Sequence, residues 1–212
     1  MQYVAIDIET TGLDPIQDQI LSFGAVIDDL ALPDSAERPT FQRFISWDRI
    51  SGHPFAIARN ALILTAILEK TVDGIIEISD LAEHFAYWIS SHGLDKFSVA
   101  GKNFGTFDEQ FLKNVPGWGD RLGGQKGLVH YHRRIIDPAI FFWIPYMDRV
   151  LPDMQTCCVR AGLPDIVTHT ALDDAITITR LVRAGIRRCG IQRVKPCEKC
   201  GHETCVCGTR GM

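Results

Sequence analysis

The sequence contains no run of about 18 apolar residues, the length that a membrane-spanning helix needs. It also does not open with a basic segment followed by an apolar stretch, which is the pattern of a secretory signal. We therefore expect neither membrane insertion nor secretion and predict an intracellular, cytoplasmic protein. Internal repeats and low-complexity tracts are absent as well. With 212 residues, 46% of them hydrophobic, the chain is long enough to bury the core of one domain.

Positive charge is scarce for a protein that would bind nucleic acid. The formal net charge is -4, and no Lys or Arg precedes Arg38. Residues 187–212 differ from the rest because they hold an excess of four positive charges. Divalent cations held by a cluster of acidic residues would reverse the sign of the charge that a phosphate meets there. The net charge therefore does not exclude a nucleic-acid substrate.

Two carboxylates stand two residues apart in an apolar segment, Val4–Leu13. Because side chains alternate along a strand, Asp7 and Glu9 should project from one face, while Ile6 and Ile8 fill the other. Two buried anions side by side cost several kcal/mol unless a cation compensates, so the pair predicts a divalent metal site. The alternative is that both carboxylates lie at a solvated strand end and that residues 10–15 form only a turn.

The periodicity predicts an α/β fold in which a meander of strands is followed by strands that alternate with helices. The expected sheet is mixed, has five strands and is flanked by helices. Its strands are predicted at residues 2–9, 19–27, 40–46, 96–100 and 134–137. Helices are predicted at residues 58–69, 79–91, 108–115, 153–161 and 171–189.

A second acidic candidate, Asp108, lies where a predicted strand runs through a short loop into a helix. An Asp before an apolar helix is often only a helix N-cap, and that alternative stays open on this segment alone. Ligands of open α/β sheets, however, bind beyond the carboxyl ends of the strands, which is where both Glu9 and Asp108 would lie.

The last predicted helix opens with two neighbouring aspartates that helical geometry separates. Thr170 and Asp173 have the spacing of a capping box, and Asp173 continues into a polar stripe, so its role is predicted to be structural. Asp174 instead aligns with Ile178 and Leu181, beside the buried stripe, where a carboxylate needs a counter-ion. We therefore predict Asp174 as the metal ligand.

His169 immediately precedes this helix and would lie beside the predicted metal site. Its imidazole, with an unperturbed pKa of about 6.5, suits removal of a proton from water at neutral pH. The remaining histidines that we considered are expected to be ordinary surface or core residues. They are His53, His84, His92, His130 and His132.

Together the three segments resemble the DEDDh family of 3'-5' exonucleases, which includes oligoribonuclease, ribonuclease T and the proofreading epsilon subunit of bacterial polymerases. The first is similar to the family's D-x-E-T-T-G motif, through residues 7–12. The second matches N-x-x-x-F-D through Asn103, Phe107 and Asp108. The third matches H-x-A-x-x-D through His169, Ala171 and Asp174. Ser22 departs from the family pattern, which often has a Glu there.

The resemblance implies a ribonuclease H-like fold over a domain of residues 1–190, and a metal-dependent 3'-5' exonuclease that releases nucleoside 5'-monophosphates from single-stranded DNA or RNA. Asp7, Glu9, Asp108 and Asp174 would hold two Mg²⁺ or Mn²⁺ ions, and His169 would be the general base. Contacts to the terminal nucleotide would come from Thr10, Thr11, Gly12, Leu13, Asn103 and Phe107. The nucleic acid that is preferred, the oligomeric state and a polymerase or other partner cannot be read from these motifs. A non-catalytic binding module and a ribonuclease H-like endonuclease remain the alternatives.

Residues 191–212 form a basic tail that is unusually rich in cysteine. Cys197, Cys200, Cys205 and Cys207 offer four thiolates to one tetrahedral Zn²⁺, with His202 as a fifth candidate ligand. The alternative is a disordered tail with reduced thiols. The other cysteines, Cys157, Cys158 and Cys189, lie in helical patterns and are expected to be buried as small apolar side chains.

Overall fold

A mixed sheet of five strands is the centre of the computed structural model, which describes residues 1–119, 127–164 and 170–190. The strands are β1 (Gln2–Thr10), β2 (Ile20–Asp29), β3 (Thr40–Ser46), β4 (Ile75–Glu77) and β5 (Val99–Ala100). Their order in the sheet is β4-β3-β2-β1-β5. β1, β2 and β3 form an antiparallel meander, whereas β4 runs parallel to β3 and β5 parallel to β1.

Six α-helices flank this sheet in the described part of the chain. They are α1 (Pro54–Arg59), α2 (Ala61–Leu68), α3 (Leu81–Ser91), α4 (Asp108–Leu112), α5 (Met154–Ala161) and α6 (Ala171–Arg188). Short 3-10 turns precede α3 at Ile78–Asp80 and precede α5 at Pro138–Phe141. None of the described helices is both long and apolar enough to cross a membrane.

Alternation along β1 divides the core between the two faces of the sheet. Val4, Ile6 and Ile8 belong to a large cluster in which Phe85 of α3 stacks on Trp118 with 5.3 Å between ring centroids. On the other face, Tyr3 and Ala5 pack with the apolar stripe of α6. Asp7 and Glu9 follow Tyr3 and Ala5 on this second face, because side chains two residues apart point the same way. The two carboxylates therefore face α6.

A buried ion pair fixes α6 against β2. Arg183 of α6 is only 8% exposed, and its Nη2 lies 2.7 Å from Oδ1 of the fully buried Asp28. Arg38 donates from Nε to the same carboxylate at 2.6 Å, and the Tyr3 hydroxyl donates to its other oxygen at 2.8 Å. Burial alone would raise the pKa of Asp28, but the hydrogen bonds from these three side chains hold it below its usual range. Since removing one member would leave a buried charge, this pair secures the helix position.

The α/β architecture with a mixed five-stranded sheet is confirmed, but the elements differ from the prediction in detail. The strand predicted at residues 134–137 is absent from the described sheet, where this segment forms only an isolated bridge between Ala100 and Ile136. The sheet instead gains β4, which was not predicted. In place of the single helix predicted at 58–69, the structure has α1, which begins at Pro54, and α2. The buried Asn60 separates the two helices. Cys157 and Cys158 are buried as expected, whereas Cys189 is exposed because it follows the last turn of α6.

Candidate active site

The carboxyl end of β1 supplies the first two acidic side chains of the site. Asp7 pairs with Gly24 and Glu9 pairs with Ser22 on β2. A Cβ atom at Gly24 would lie 2.2 Å from the carbonyl carbon of Ala171, so only glycine lets the first turn of α6 approach the sheet here. This close approach brings the start of α6 directly over the carboxylates of β1.

Asp7, Glu9 and Asp174 converge at this point. One carboxylate oxygen from each lies within 4.8 Å of the others, and all three side chains are partly buried. Asp108 joins them from the first turn of α4, where its Oδ1 accepts a hydrogen bond of 3.2 Å from the Ile8 backbone N–H. Asp108 is 3% exposed. The fold therefore brings together all four acidic residues that the sequence analysis singled out.

The pKa values in this cluster show that the carboxylates oppose one another's ionisation. The pKa of Asp7 is raised well above its usual range by burial, and further by Asp108, Asp174 and Glu9. Burial raises the pKa of Asp108 to about 8. Burial and Asp174 raise the pKa of Glu9 to about 7, although a hydrogen bond from Asn60 and the charge of Arg59 act in the opposite direction. A positive charge placed between these oxygens would relieve the repulsion.

The donor chemistry of the cluster fits a hard divalent cation. Each of the four side chains offers carboxylate oxygens, which Mg²⁺ and Mn²⁺ accept in preference to softer donors. Among the described residues, Asp7, Glu9 and Asp174 are the side chains close enough together to share one ion. Asp108 lies beside this group, where its Oδ1 accepts the hydrogen bond from the Ile8 backbone N–H.

The two neighbouring aspartates of α6 have different environments. The Asp173 backbone N–H donates to Oγ1 of Thr170 at 3.2 Å, and the Thr170 hydroxyl donates to Oδ2 of Asp173 at 2.6 Å. Asp173 thus closes the N-terminal turn of the helix, as a capping box does. Asp174, one residue further, points into the acidic cluster.

A cavity of about 590 Å³ opens beside Glu9. Of the residues expected to contact the terminal nucleotide, the lining includes Thr10, Gly12, Leu13 and Phe107. Leu13 is 81% exposed at its mouth. This volume and its largely apolar wall are in the range of small-molecule sites.

The remaining two expected contact residues lie elsewhere. Thr11 is fully buried, and its Oγ1 accepts a hydrogen bond of 2.8 Å from the backbone of Gln19. Asn103 is exposed in a left-handed backbone conformation with φ of 58°, and its N–H donates to Asp137 Oδ2 at 3.0 Å. Neither lines the cavity as described, so their predicted contact with substrate stays a prediction.

The opposite wall of the cavity comes from α1 and was missed by the sequence analysis. It is formed by His53, Phe55, Ala56, Arg59 and Asn60. The loop before α1 is tied to the first motif because the His53 N–H donates to the Thr11 carbonyl at 2.8 Å. Asn60 is 4% exposed, and its Nδ2 donates to the Thr10 carbonyl at 3.0 Å. These contacts join residues far apart in the chain, so no local sequence pattern predicts them.

Two of the predicted features lie outside the described residues. His169 falls in the segment 165–169, and the candidate zinc ligands Cys197, Cys200, Cys205 and Cys207 fall in 191–212. Their roles therefore stay predictions. The structure does describe Thr170, which follows His169 directly and caps the helix that carries Asp174.

Several solved structures are similar to this chain in fold. The nuclease domain of 3'hExo, a DEDDh family member bound to rAMP, is 18% identical, with a TM-score of 0.61 over 88% of this chain and 92% of that one. Cell-death related nuclease 4 is 14% identical, with a TM-score of 0.62 over 88% of this chain and 64% of that one. E. coli exonuclease I in complex with a dT13 oligonucleotide is 16% identical, with a TM-score of 0.59 over 89% of this chain and 42% of that one.

The TM-scores establish a shared fold, and the chain spans well under the full length of cell-death related nuclease 4 and of exonuclease I. A comparison with curated proteins finds no significant match. Family membership is established by sequence instead, because the sequence model of the Exonuclease family matches residues 4–182. That range contains all four acidic residues of the cluster. The chain therefore belongs to the Exonuclease family, whose sequence model covers residues 4–182.

Proposed function

We propose that the protein is a metal-dependent 3'-5' exonuclease that removes nucleoside 5'-monophosphates one at a time from the 3' end of single-stranded DNA or RNA. The observation that carries this proposal is the convergence of Asp7, Glu9 and Asp174 beside a nucleotide-sized cavity. Asp108 completes the acidic set from α4. Family membership supports the class of reaction.

The acidic residues would hold two Mg²⁺ or Mn²⁺ ions. When bound, such ions would supply positive charge that stabilises the attacking and leaving oxygens of a displacement at phosphorus. The structural task of the protein is to hold four carboxylates at one point in spite of their mutual repulsion. It does so with the strand β1, with the helix starts of α4 and α6, and with burial, all of which fix the side chains before any substrate arrives.

The cavity beside Glu9 would receive the terminal nucleotide. Leu13 and Phe107 offer apolar surface to a base, an interaction that tolerates any sequence. The exposed Phe55 adds a second aromatic surface on the opposite wall. Thr10 and Gly12 border the cavity with backbone groups that can meet the sugar and phosphate. Arg59 supplies a positive charge to the same wall.

We assign the general base to His169, which precedes the helix cap Thr170 and lies five residues before Asp174 in the sequence. A base there would accept the proton of the attacking water. The tail is proposed to hold one Zn²⁺ through Cys197, Cys200, Cys205 and Cys207 and to add basic surface rather than chemistry. The cytoplasmic location and any polymerase or other protein partner stay predictions.

The direct test uses 5'-labelled single-stranded DNA, single-stranded RNA and duplexes of matched sequence, each with Mg²⁺, with Mn²⁺ and with EDTA. The proposal predicts a ladder of single-nucleotide losses from the 3' end that EDTA abolishes. Internal cuts would instead identify an endonuclease. Binding without hydrolysis under all metal conditions would identify a non-catalytic module, and comparison of the substrates would reveal the preferred nucleic acid.

A further inference from the structure

A second concave surface lies on the other flank of α4 and has no part in the chemistry described above. It is a groove of about 730 Å³ between α4 and residues 127–133. We call it the basic groove. The charged side chains and imidazoles among its described lining residues are those of Lys96, Glu109, Lys113, His130, His132 and Arg133. Both of these histidines are expected from the sequence to be ordinary residues, and no sequence motif predicts this surface.

The charges of the basic groove do not cancel. Lys113 forms an ion pair of 3.1 Å with Glu109, which neutralises that one carboxylate. Lys96 and Arg133 are exposed, and neither has an ion-pair partner among residues 1–119, 127–164 and 170–190. The imidazoles of His130 and His132 add hydrogen-bond donors. Two positive charges without a described ion-pair partner thus lie in one groove of a chain whose formal net charge is -4.

The backbone that carries these side chains is tied to the sheet. Tyr131 forms a bridge with Phe97, and the His132 N–H donates to the Phe97 carbonyl at 2.8 Å. The Tyr131 ring meets that of Phe104 edge-on at 5.9 Å, and its hydroxyl donates to Glu109 at 3.1 Å. The positive groups on residues 130–133 are thus presented from a fixed position rather than from a free loop.

The basic groove begins close to the acidic cluster. Asp108 is the first residue of α4, and Lys113 follows its last residue. At a rise of about 1.5 Å per residue, five residues separate the two by about 7.5 Å along the helix axis.

Lys96 lies further away, because it precedes by three residues Val99, which is the partner of Val4 on β1. At about 3.3 Å per residue, it is about 20 Å from Asp7 along the strands. A nucleic-acid strand seated at the acidic cluster would therefore meet Lys113 first and reach Lys96 a few nucleotides further on.

We propose that the basic groove binds the phosphate backbone of the substrate strand, on the 5' side of the nucleotide that is being removed. The inference rests on the proposed exonuclease function for the identity of the strand. Its physical basis is independent, because unpaired Lys and Arg side chains in a groove attract phosphates of any sequence and release counterions when they bind them. The groove would thus retain the strand between successive cleavages.

The test is a pair of double variants that remove equal charge. Lys96→Gln with Arg133→Gln neutralises the groove, whereas Lys70→Gln with Arg149→Gln removes two exposed positive charges elsewhere on the surface. Each protein is assayed on a 12-nucleotide single strand and on the p-nitrophenyl ester of thymidine 5'-monophosphate, which occupies only the acidic cluster and its cavity. Binding of the labelled 12-mer is also measured by fluorescence anisotropy from 50 to 200 mM salt.

The groove variant should raise KM for the 12-mer severalfold and leave turnover of the ester unchanged. Two lost phosphate contacts should reduce the salt slope of binding by about 1.4, so that the fall in affinity between 50 and 200 mM salt becomes about sevenfold smaller. The control variant should behave like the wild type. Unchanged KM and salt slope in the groove variant, or an equal loss in both variants, would overturn the proposal.

The same experiment separates this inference from the proposed function. If the wild-type protein hydrolysed neither substrate, the exonuclease proposal would fail, while the anisotropy data would still decide whether the groove binds a strand. The duplex of the 12-mer is assayed in parallel. If the groove variant affected only the duplex, the groove would bind the complementary strand, and the assignment to the substrate strand would be wrong.

Discussion

At the scale of single residues, Asp173 and Asp174 are neighbours that the fold uses differently. Asp173 exchanges hydrogen bonds with Thr170, while Asp174 faces Asp7 and Glu9. We expect Asp173→Asn to cost about 1 kcal/mol of stability through the weakened helix cap and to retain most of the turnover. We expect Asp174→Asn to be inactive, because it removes one of the carboxylates proposed to hold the metal. Thermal melts and single-strand hydrolysis of the two matched variants provide the measurement.

The two variants control for each other, since both replace one carboxylate by an amide in the same helix turn. Exchange of the two phenotypes would contradict the assigned roles. The sequence already distinguished these residues because a long helix with a strong apolar stripe fixes the direction of every side chain. The observed hydrogen bond between Thr170 and Asp173 agrees with the helix register that was predicted from the apolar stripe.

His169 provides a second test at the residue scale. A general base contributes about 10²- to 10⁴-fold to the rate, so His169→Ala should hydrolyse slowly while it binds Mn²⁺ and oligonucleotide normally. Wild-type activity should increase as the pH rises through about 6.5, the range in which an imidazole loses its proton, because only the neutral ring accepts a proton. Rate profiles against pH for both proteins, at saturating Mn²⁺, test this. Lost Mn²⁺ binding with unchanged chemistry at saturation would assign His169 to structure.

At the scale of elements, the crossing of α6 over β2 depends on Gly24. A Cβ at this position would lie 2.2 Å from backbone atoms of Ala171, which cannot rotate away as a side chain would. Gly24→Ala should therefore displace the start of α6, lower the unfolding free energy by about 1–3 kcal/mol as overpacking does, and weaken Mn²⁺ binding because Asp174 moves with the helix. Denaturant unfolding and Mn²⁺ titration measure both effects.

Gly105→Ala is the matched control, because a Cβ at Gly105 would meet no atom within 4 Å. It should leave stability and Mn²⁺ binding near those of the wild type. If Gly24→Ala behaved in the same way, the close approach of α6 to β2 would not be what positions Asp174.

The elements that could be predicted are those whose signal is local and long. β1, β2 and β3 are each seven or more residues long and rich in buried apolar side chains, and α6 has a strong apolar stripe. β4 has three residues, and it exists because it pairs in parallel with β3 after a long crossover, which no local pattern encodes. The α1 wall of the cavity escaped prediction for the same reason, since Asn60 acquires its place through the Thr10 carbonyl.

At the scale of the whole molecule, the acidic cluster should make stability depend on pH and on metal. Without metal, burial and repulsion hold the pKa of Glu9 at about 7 and that of Asp108 at about 8, above the values near 4 of unfolded chains. The folded state then binds more protons than the unfolded state, so the unfolding free energy should fall as pH rises from about 4.5 to about 8.

Thermal melts in EDTA should thus show a lower Tm at pH 8 than at pH 5.5, by several degrees, since 1 kcal/mol shifts the Tm of a chain of this size by about 2–4 °C. Mn²⁺ should raise the Tm at pH 8, where the ligands are ionised, and have little effect at pH 5.5. A Tm in EDTA that is equal at both pH values would contradict the repulsion within the cluster.

The C-terminal tail is tested on the full chain by elemental analysis after EDTA treatment. We expect one equivalent of Zn²⁺ to remain, because four thiolates hold zinc far more tightly than carboxylates hold Mg²⁺. Replacing Cys197 and Cys200 by Ser should release the metal. Zinc well below one equivalent, with all four thiols reacting freely, would leave the tail as a basic extension without a metal.

The acidic cluster joins β1 to α6, the last helix among the described residues, and the two lie far apart along the chain. A chain that has left the ribosome only as far as α5 already contains Asp7, Glu9 and Asp108 but still lacks Asp174 and the Arg183 that secures α6 to Asp28. These three carboxylates repel one another, and the side of the site that α6 covers is still open. On the proposed function, the growing chain would therefore lack a completed site while it is still close to the messenger that encodes it, and hydrolysis would begin only when α6 packs over the sheet.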